Sequence, residues 1–181
     1  MRRIRYSVAM SLDGYIAGPK GEADWIVMDP ELDFTRLFSQ FDTLLIGRKT
    51  FDAMAGQGGG GAGGFKDVKV FVLSRTLTAI DRPGVTLLSG DVKAALTSLK
   101  KEPGKDIWLF GGGDLFRSLL DLGLVDSVEV GVIPVLLGGG IPLLPSPADR
   151  RTLTLKTHRV YEKTGTLSLE YDVTRPRARA R

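Results

Sequence analysis

Cysteine is absent from this 181-residue chain, and histidine occurs once, as His158. Without thiols there is no disulfide, no cysteine nucleophile and no Cys/His zinc site. Zinc-dependent nucleobase deamination, which relies on thiolate ligands, is excluded with them. Long apolar runs are missing too, since none approaches the ~18 residues that a membrane helix needs. Arg2 and Arg3 open the chain, but Asp13 and Gly14 interrupt the following apolar stretch before a signal-peptide core can form. A cytoplasmic protein with no membrane partner is the expectation. The folded body also lacks an excess of one charge. The chain carries 25 basic and 21 acidic residues, and Arg175, Arg177, Arg179 and Arg181 in the final stretch account for the difference. The basic character therefore belongs to a tail, residues 175–181, that reads as disordered, and a nucleic-acid partner is not expected.

What is present is a hydrophobic content of 43% with 25% charged residues, ordinary for a globular protein and enough chain for one domain with a sizeable core. The chain reads as a single domain over residues 1–174. A glycine-rich insert at 56–64 has the composition of a flexible loop.

The central stretch is Ile107-Trp108-Leu109-Phe110 followed by Gly111-Gly112-Gly113-Asp114 and then by Leu115, Phe116, Leu119 and Leu120. A short unbroken apolar run reads as a strand buried on both faces, and the later spacing as one face of a helix. Glycines at such a junction let a phosphate approach the free N–H groups and positive dipole of the helix start. The same logic recurs earlier. Thr43 to Ile46 reads as a buried strand followed by Gly47-Arg48-Lys49-Thr50, where cations at a helix start are unfavourable unless an anion joins them. Val68 to Leu73 reads as a third such strand, ending in Ser74-Arg75, a hydroxyl and a guanidinium suited to a phosphate monoester.

Around these lie a first strand at residues 3–10 and a glycine-punctuated loop from Ser11 to Trp25. Asp29 and Pro30 read as a helix start, followed by Phe34, Leu37, Phe38 and Phe41 at helical spacing. Val85–Leu88 reads as a short strand, Asp91 as the cap of the next helix, and Ser127–Ile133 as a further strand. Two alternating segments joined at Lys163-Thr164-Gly165 close the chain as an antiparallel hairpin, with His158 on its sheet surface or edge. The sum is an α/β fold, a mostly parallel mixed sheet with an antiparallel C-terminal hairpin. In such sheets the C-terminal strand ends line the ligand crevice. Gly47–Thr50, Ser74–Arg75 and Gly111–Asp114 would therefore converge on one ligand with several phosphates, as a dinucleotide with a separate 2′-phosphate has. It is not a Rossmann fingerprint, because Phe116 stands where the third glycine belongs and the turn comes late in the chain.

The ordered set Ser11-Leu12-Asp13-Gly14-Tyr15-Ile16-Ala17, Leu45-Ile46-Gly47-Arg48-Lys49-Thr50, Val72-Leu73-Ser74-Arg75 and Phe110-Gly111-Gly112-Gly113, with Leu137-Gly138-Gly139-Gly140 later, resembles the dihydrofolate reductase-like superfamily. Within it the sequence is most similar to the reductase domain of bacterial riboflavin biosynthesis and its stand-alone relatives, over roughly residues 3–173. The resemblance implies a three-layer fold, a homodimer and NADPH as cofactor. Ala9 and Ile16 would flank the nicotinamide, and Gly47, Arg48, Lys49 and Thr50 would hold phosphates. Ser74 and Arg75 would meet the 2′-phosphate, and Gly111, Gly112, Gly113, Asp114 and Leu115 would wrap the pyrophosphate. Asp13, beside the nicotinamide, is the expected catalytic group. The implied reaction is reduction of a 5-amino-6-(5-phosphoribosylamino)uracil-type substrate, with a pterin as second choice and a non-catalytic NADPH sensor as the rival of another kind. One departure weighs against folate. The pterin-binding carboxylate expected five residues after the tryptophan would fall at Pro30, with Asp29 and Asp33 out of register.

Overall fold

A computed structural model describes residues 1–56 and 68–174. Most of the glycine insert read at 56–64, and the basic tail, lie outside the described residues. An eight-stranded sheet runs in the order β5 (Val85–Leu88), β4 (Lys69–Leu73), β3 (Phe41–Gly47), β6 (Asp106–Gly111), β1 (Ile4–Ser11), β7 (Ser127–Ile133), β10 (Thr166–Val173), β9 (Leu153–Tyr161). All its neighbours are parallel except where β10 meets β7 and β9, so β10 alone runs against the rest. A second, two-stranded sheet pairs β2 (Tyr15–Ala17) with β8 (Ile141–Pro142).

Among the described residues four helices complete the layers: α1 (Phe34–Phe38), α2 (Arg48–Gly56), α3 (Val92–Lys101) and α4 (Gly113–Asp121). Strand alternation divides the core between them. Ile4 and Tyr6 of β1, Leu45 of β3 and Leu109 of β6 face Leu96 and Leu99 of α3 and Phe116 and Leu119 of α4. Leu44 and Ile46 of β3 and Trp108 of β6 face the other way, against Phe38 of α1 and Phe51 and Met54 of α2. Central strands covered on both sides are apolar through their middles, which is why Leu44–Ile46 of β3 and Ile107–Phe110 of β6 read as unbroken hydrophobic runs. Each fully buried Leu, Ile or Val contributes about 1.5–3 kcal/mol. Tyr6 stacks on Phe116 with ring centroids 3.9 Å apart. Its hydroxyl is buried without a hydrogen-bond partner among the described residues, and burial pushes its pKa up.

The N-terminal strand ends are tied by buried ion pairs. Arg2 bonds Asp42 and donates to Thr43 Oγ1 (2.6 Å), and Lys100 Nζ reaches Asp126 Oδ2 at 2.5 Å. The opposite strand ends are thereby left for loops and helix starts.

The first helix differs from the sequence expectation. Asp33, not Asp29, caps α1, accepting the N–H of Arg36 at 2.9 Å. Asp29 is buried and accepts the N–H of Glu31 and the hydroxyl of Thr164, each at 2.9 Å. Its capping chemistry is spent on fastening the preceding segment to the C-terminal hairpin. Phe41 belongs to β3, because its ring packs on Trp108 with centroids 5.4 Å apart and continues that strand's buried face. Asp91 caps α3 as expected, bonding the N–H of Ala94 at 2.9 Å.

Candidate functional site

The three strand ends read as phosphate-friendly are adjacent. Gly47 of β3 pairs in register with Leu73 of β4, and Ile46 pairs with Gly111 of β6. The sheet order β4-β3-β6 thus sets Ser74–Arg75, Gly47–Thr50 and Gly111–Asp114 side by side. A Cβ on Gly112 would come 3.8 Å from Thr50 Oγ1, and one on Gly47 would come 3.7 Å from Leu115 Cβ. The starts of α2 and α4 are therefore neighbours.

First-turn N–H groups of a helix have no intrahelical acceptor, and Gly112, the N-cap of α4, offers no side chain to satisfy them. Gly111 has φ +148° and the Gly111–Gly112 peptide is cis. Gly113 is glycine for a different reason. A Cβ there would lie 2.5 Å from the Pro142 carbonyl oxygen and 2.9 Å from Pro145 Cδ.

Around the cradle, Lys49 Nζ stands 3.9 Å from Asp114 Oδ2, and both side chains are exposed. Arg48 donates to Thr76 Oγ1 at 2.9 Å and lies 3.4 Å from Asp52. Ser74 Oγ accepts the N–H groups of Thr76 (3.2 Å) and Leu77 (3.0 Å), so it shapes the turn after β4. Arg75 is exposed and makes no ion pair among the described residues. This set suits a dinucleotide: a glycine turn at a helix start, where the first N–H groups have no acceptor within the helix ladder, and polar or cationic side chains at its rim. NADH and NADPH differ only at the 2′-phosphate, so a free guanidinium at Arg75 is the residue expected to separate them. Arg75→Ala should weaken NADPH by about tenfold to 100-fold, the range for a lost charge-assisted contact, and leave NADH affinity nearly unchanged. Titration of both cofactors checks this, and equal losses would sink the assignment.

Asp13 is held from several sides. Ser11 Oγ donates to it at 2.6 Å, Leu137 N–H reaches both oxygens at 3.1 Å, and Gly138 N–H donates to Oδ2 at 2.7 Å. These bonds, the Ser11 hydroxyl first, hold its carboxyl below the ordinary aspartate range. Ser11 in turn accepts the Tyr15 N–H at 2.9 Å. Asp13 is thus a charged anchor between the loop after β1 and residues 137–138. Its folded pKa is depressed, so its contribution to stability is present above the unfolded value, ~3.9, and is lost as pH falls through the folded value. Asp13→Asn should remove that part of the acid-limb slope, read from unfolding midpoints at a series of pH values.

The segment 134–145, whose Leu137-Gly138-Gly139-Gly140 carries part of the family resemblance, forms a strap. It pairs β8 with β2, and Leu143 N–H bonds Gly14 O at 2.9 Å. Gly140 lies so close that a Cβ would fall on the Ala17 carbonyl oxygen. The strap touches Gly113 at one end and the Asp13–Ala17 loop at the other. Strands of two or three residues are too short for periodicity to reveal. The glycine cluster at 138–140 was the available signal.

Ala9 and Ile16 occupy this neighbourhood. Ala9 pairs in register with Gly131, Gly131 with Ser168, and Ser168 with Arg159. Ala9, Gly131 and Ser168 are small and half-buried, and the exposed Arg159 ends the row. The sequence reading missed Gly131, Ser168 and Arg159, because strand register is not visible in the sequence.

The profile of the RibD C-terminal domain matches residues 2–167. This chain belongs to the RibD C-terminal domain family. It is similar to the Bacillus subtilis (strain 168) protein YyaP, itself uncharacterized, with 37% identity over 180 residues and 94% of each chain covered. A solved structure from Shewanella sp. PV-4, provisionally named for riboflavin biosynthesis, is 27% identical with a TM-score of 0.77, covering 97% of this chain and all of the other. Dihydrofolate reductase from Enterococcus faecalis, solved with NADP(H), shares the fold at 18% identity and a TM-score of 0.66, over 96% of this chain and 97% of that one. This RibD C-terminal domain protein therefore has the dihydrofolate reductase-like architecture implied by its four motifs. Its family is one of reductases.

Proposed function

We propose that this RibD C-terminal domain protein is an NADPH-dependent reductase of the riboflavin-biosynthesis type, acting on a 5-amino-6-(5-phosphoribosylamino)uracil-like substrate. The observation that supports the reading is that three strand ends, Gly47–Thr50, Ser74–Arg75 and Gly111–Leu115, lie side by side at one edge of the sheet. When bound, NADPH supplies a hydride to a polarised C=O or C=N carbon. In this reading the N–H groups of Gly112, Gly113 and Asp114 hold the pyrophosphate, with Leu115 packed behind the turn. Arg48 and Lys49 neutralise phosphate charge from the α2 start, and the Thr50 hydroxyl donates a hydrogen bond to a phosphate oxygen. Ser74 shapes the turn that presents Arg75 to the 2′-phosphate. Ala9 and Ile16 flank the nicotinamide and exclude water from its face. Asp13 orients the substrate or relays a proton to it through water.

Asp13→Asn should lower the reduction rate by at least about tenfold, towards the 10²-fold scale of a positioned acid–base group, with NADPH affinity within about twofold of the parent. An unchanged rate would make Asp13 a loop anchor and nothing more. The overall reading is tested by single-turnover oxidation of NADPH with phosphoribosylaminopyrimidine and dihydropterin substrates. Tight NADPH binding without oxidation by either would favour a cofactor sensor. Oxidation by the pterin alone would favour dihydrofolate-type reduction, for which Pro30 leaves no carboxylate in register.

A homodimer belongs to the same reading. Edge strand β9 is exposed along nearly its whole length, with Leu153, Leu155 and Val160 open to solvent. An exposed apolar edge of that kind favours pairing with another chain. Sedimentation measures the mass directly. No helix of the described residues is long and apolar enough to cross a membrane, and a cytoplasmic location completes the proposal.

A further inference from the structure

Register carries one row of residues across this face of the sheet. Ala9 of β1, Gly131 of β7, Ser168 of β10 and Arg159 of β9 are successive partners. At about 4.8 Å per strand, three steps separate Arg159 from Ala9 by roughly 14 Å. The residues between are small and half-buried. The row therefore runs from the proposed nicotinamide position to an arginine at the far rim.

At that rim two cations share one carboxylate. Arg159 Nη2 lies 3.2 Å from Glu31 Oε2, and Lys163 Nζ lies 3.5 Å from Glu31 Oε1. The Arg159 guanidinium is braced over the Tyr161 ring, 4.5 Å from its centroid. All three charged side chains are exposed. An exposed ion pair contributes little to stability, and this one is not needed to hold its segment. Buried Asp29 already fastens residues 29–31 to the hairpin through Thr164 and the Glu31 N–H.

The geometry points to Arg159 and Lys163 as a clamp for the phosphomonoester end of the substrate, with Glu31 as a stand-in anion that the phosphate displaces. This rests on the proposed reductase reading and extends it. Each Glu31 oxygen takes one cation, which is how two oxygens of a phosphate would be received. A dianionic phosphate attracts both cations more strongly than a single carboxylate does. With the phosphate at the rim, the pentose lies over Ser168 and Gly131 and its far end reaches the nicotinamide side. The clamp is separate from the strand ends proposed for the cofactor's phosphates, which belong to β6, β3 and β4 on the other side of β1.

The test uses ribose 5-phosphate and ribose as probes, titrated calorimetrically with and without saturating NADPH. Ribose 5-phosphate affinity should fall at least tenfold in the Arg159→Gln/Lys163→Gln double variant and rise several-fold in Glu31→Gln. Ribose itself should distinguish none of them. Unchanged ribose 5-phosphate affinity in the double variant overturns the clamp, as does an equal loss for ribose. NADPH affinity is measured on the same proteins. Failure of NADPH to bind the parent would remove the reductase reading while the ribose 5-phosphate result still decides the clamp. In turnover with a phosphoribosylaminopyrimidine, Arg159→Gln should raise KM at least tenfold with kcat within about twofold. A fall in kcat with unchanged KM would contradict a phosphate-holding role.

Discussion

Alanine at Gly113 is expected to cost both fold stability and cofactor affinity, whereas alanine at the adjacent Gly112 should cost affinity alone. The two positions differ in what a new Cβ would meet. At Gly113 it would lie 2.5 Å from the Pro142 carbonyl oxygen and within 3.0 Å of the Pro145 ring. Backbone and proline ring cannot rotate aside, so either α4 or the strap must shift. Overpacking of this kind costs about 1–3 kcal/mol, and the shift moves the N–H groups assigned to the pyrophosphate. NADPH affinity should fall at least about 100-fold, equivalent to ~2.7 kcal/mol of binding free energy. At Gly112 the new Cβ would meet only Thr50 Oγ1 at 3.8 Å, and the backbone φ of −87° suits alanine. Its unfolding midpoint should stay within about 0.5 kcal/mol of the parent, while the methyl group intrudes where the ligand approaches the turn. Chemical unfolding and NADPH titration on both variants give the comparison. Full NADPH affinity in Gly112→Ala would place the pyrophosphate elsewhere.

The second large effect is expected at Arg5. Its Nε and Nη2 bond the two oxygens of Glu129 at 2.6 and 2.9 Å, with both side chains nearly buried. Its guanidinium also lies 4.7 Å from the Phe41 ring centroid. Arg5→Met would leave Glu129 uncompensated directly opposite Glu170 on β10. Ser127 Oγ, 2.9 Å from Glu129 Oε1, would remain as a neutral donor. Removing one member of a buried pair costs about 3–5 kcal/mol, whereas replacing both with packed apolar residues is often neutral. Arg5→Met should therefore destabilise by about 3 kcal/mol or more in urea unfolding. Arg5→Met/Glu129→Leu should recover most of that loss. A single variant as stable as the parent would show that water still reaches Glu129.

Both expectations concern residues whose significance differs between sequence and structure. Gly113 stands out in the sequence as one of three consecutive glycines, but its packing partners Pro142 and Pro145 are distant in the chain. Arg5 reads only as one residue of the first strand at 3–10. Its pairing with Glu129 follows from β1 lying beside β7, a consequence of the crossover connections.

The sequence by itself determined the α/β class, the strands at 43–46, 85–88 and 127–133, the Asp91 cap, the C-terminal hairpin and the family. These features rest on local signals: unbroken apolar runs where both faces are buried, period two where one face is open, and glycine or a capping residue at a junction. It also placed three phosphate-friendly turns at strand C-termini, because a parallel sheet brings those ends to one edge. Only the tertiary structure decided that Asp33 and not Asp29 caps α1. An acidic residue suits a helix start and a buried hydroxyl partner equally well, and Thr164, far along the chain, claimed Asp29. Only the tertiary structure joined Asp13 to Leu137 and Gly138, closed the strap against Gly113, and aligned Ala9, Gly131, Ser168 and Arg159 in one row. Each of these depends on which strands become neighbours and in what register. Pairing strands distant in sequence leaves no periodicity within either one.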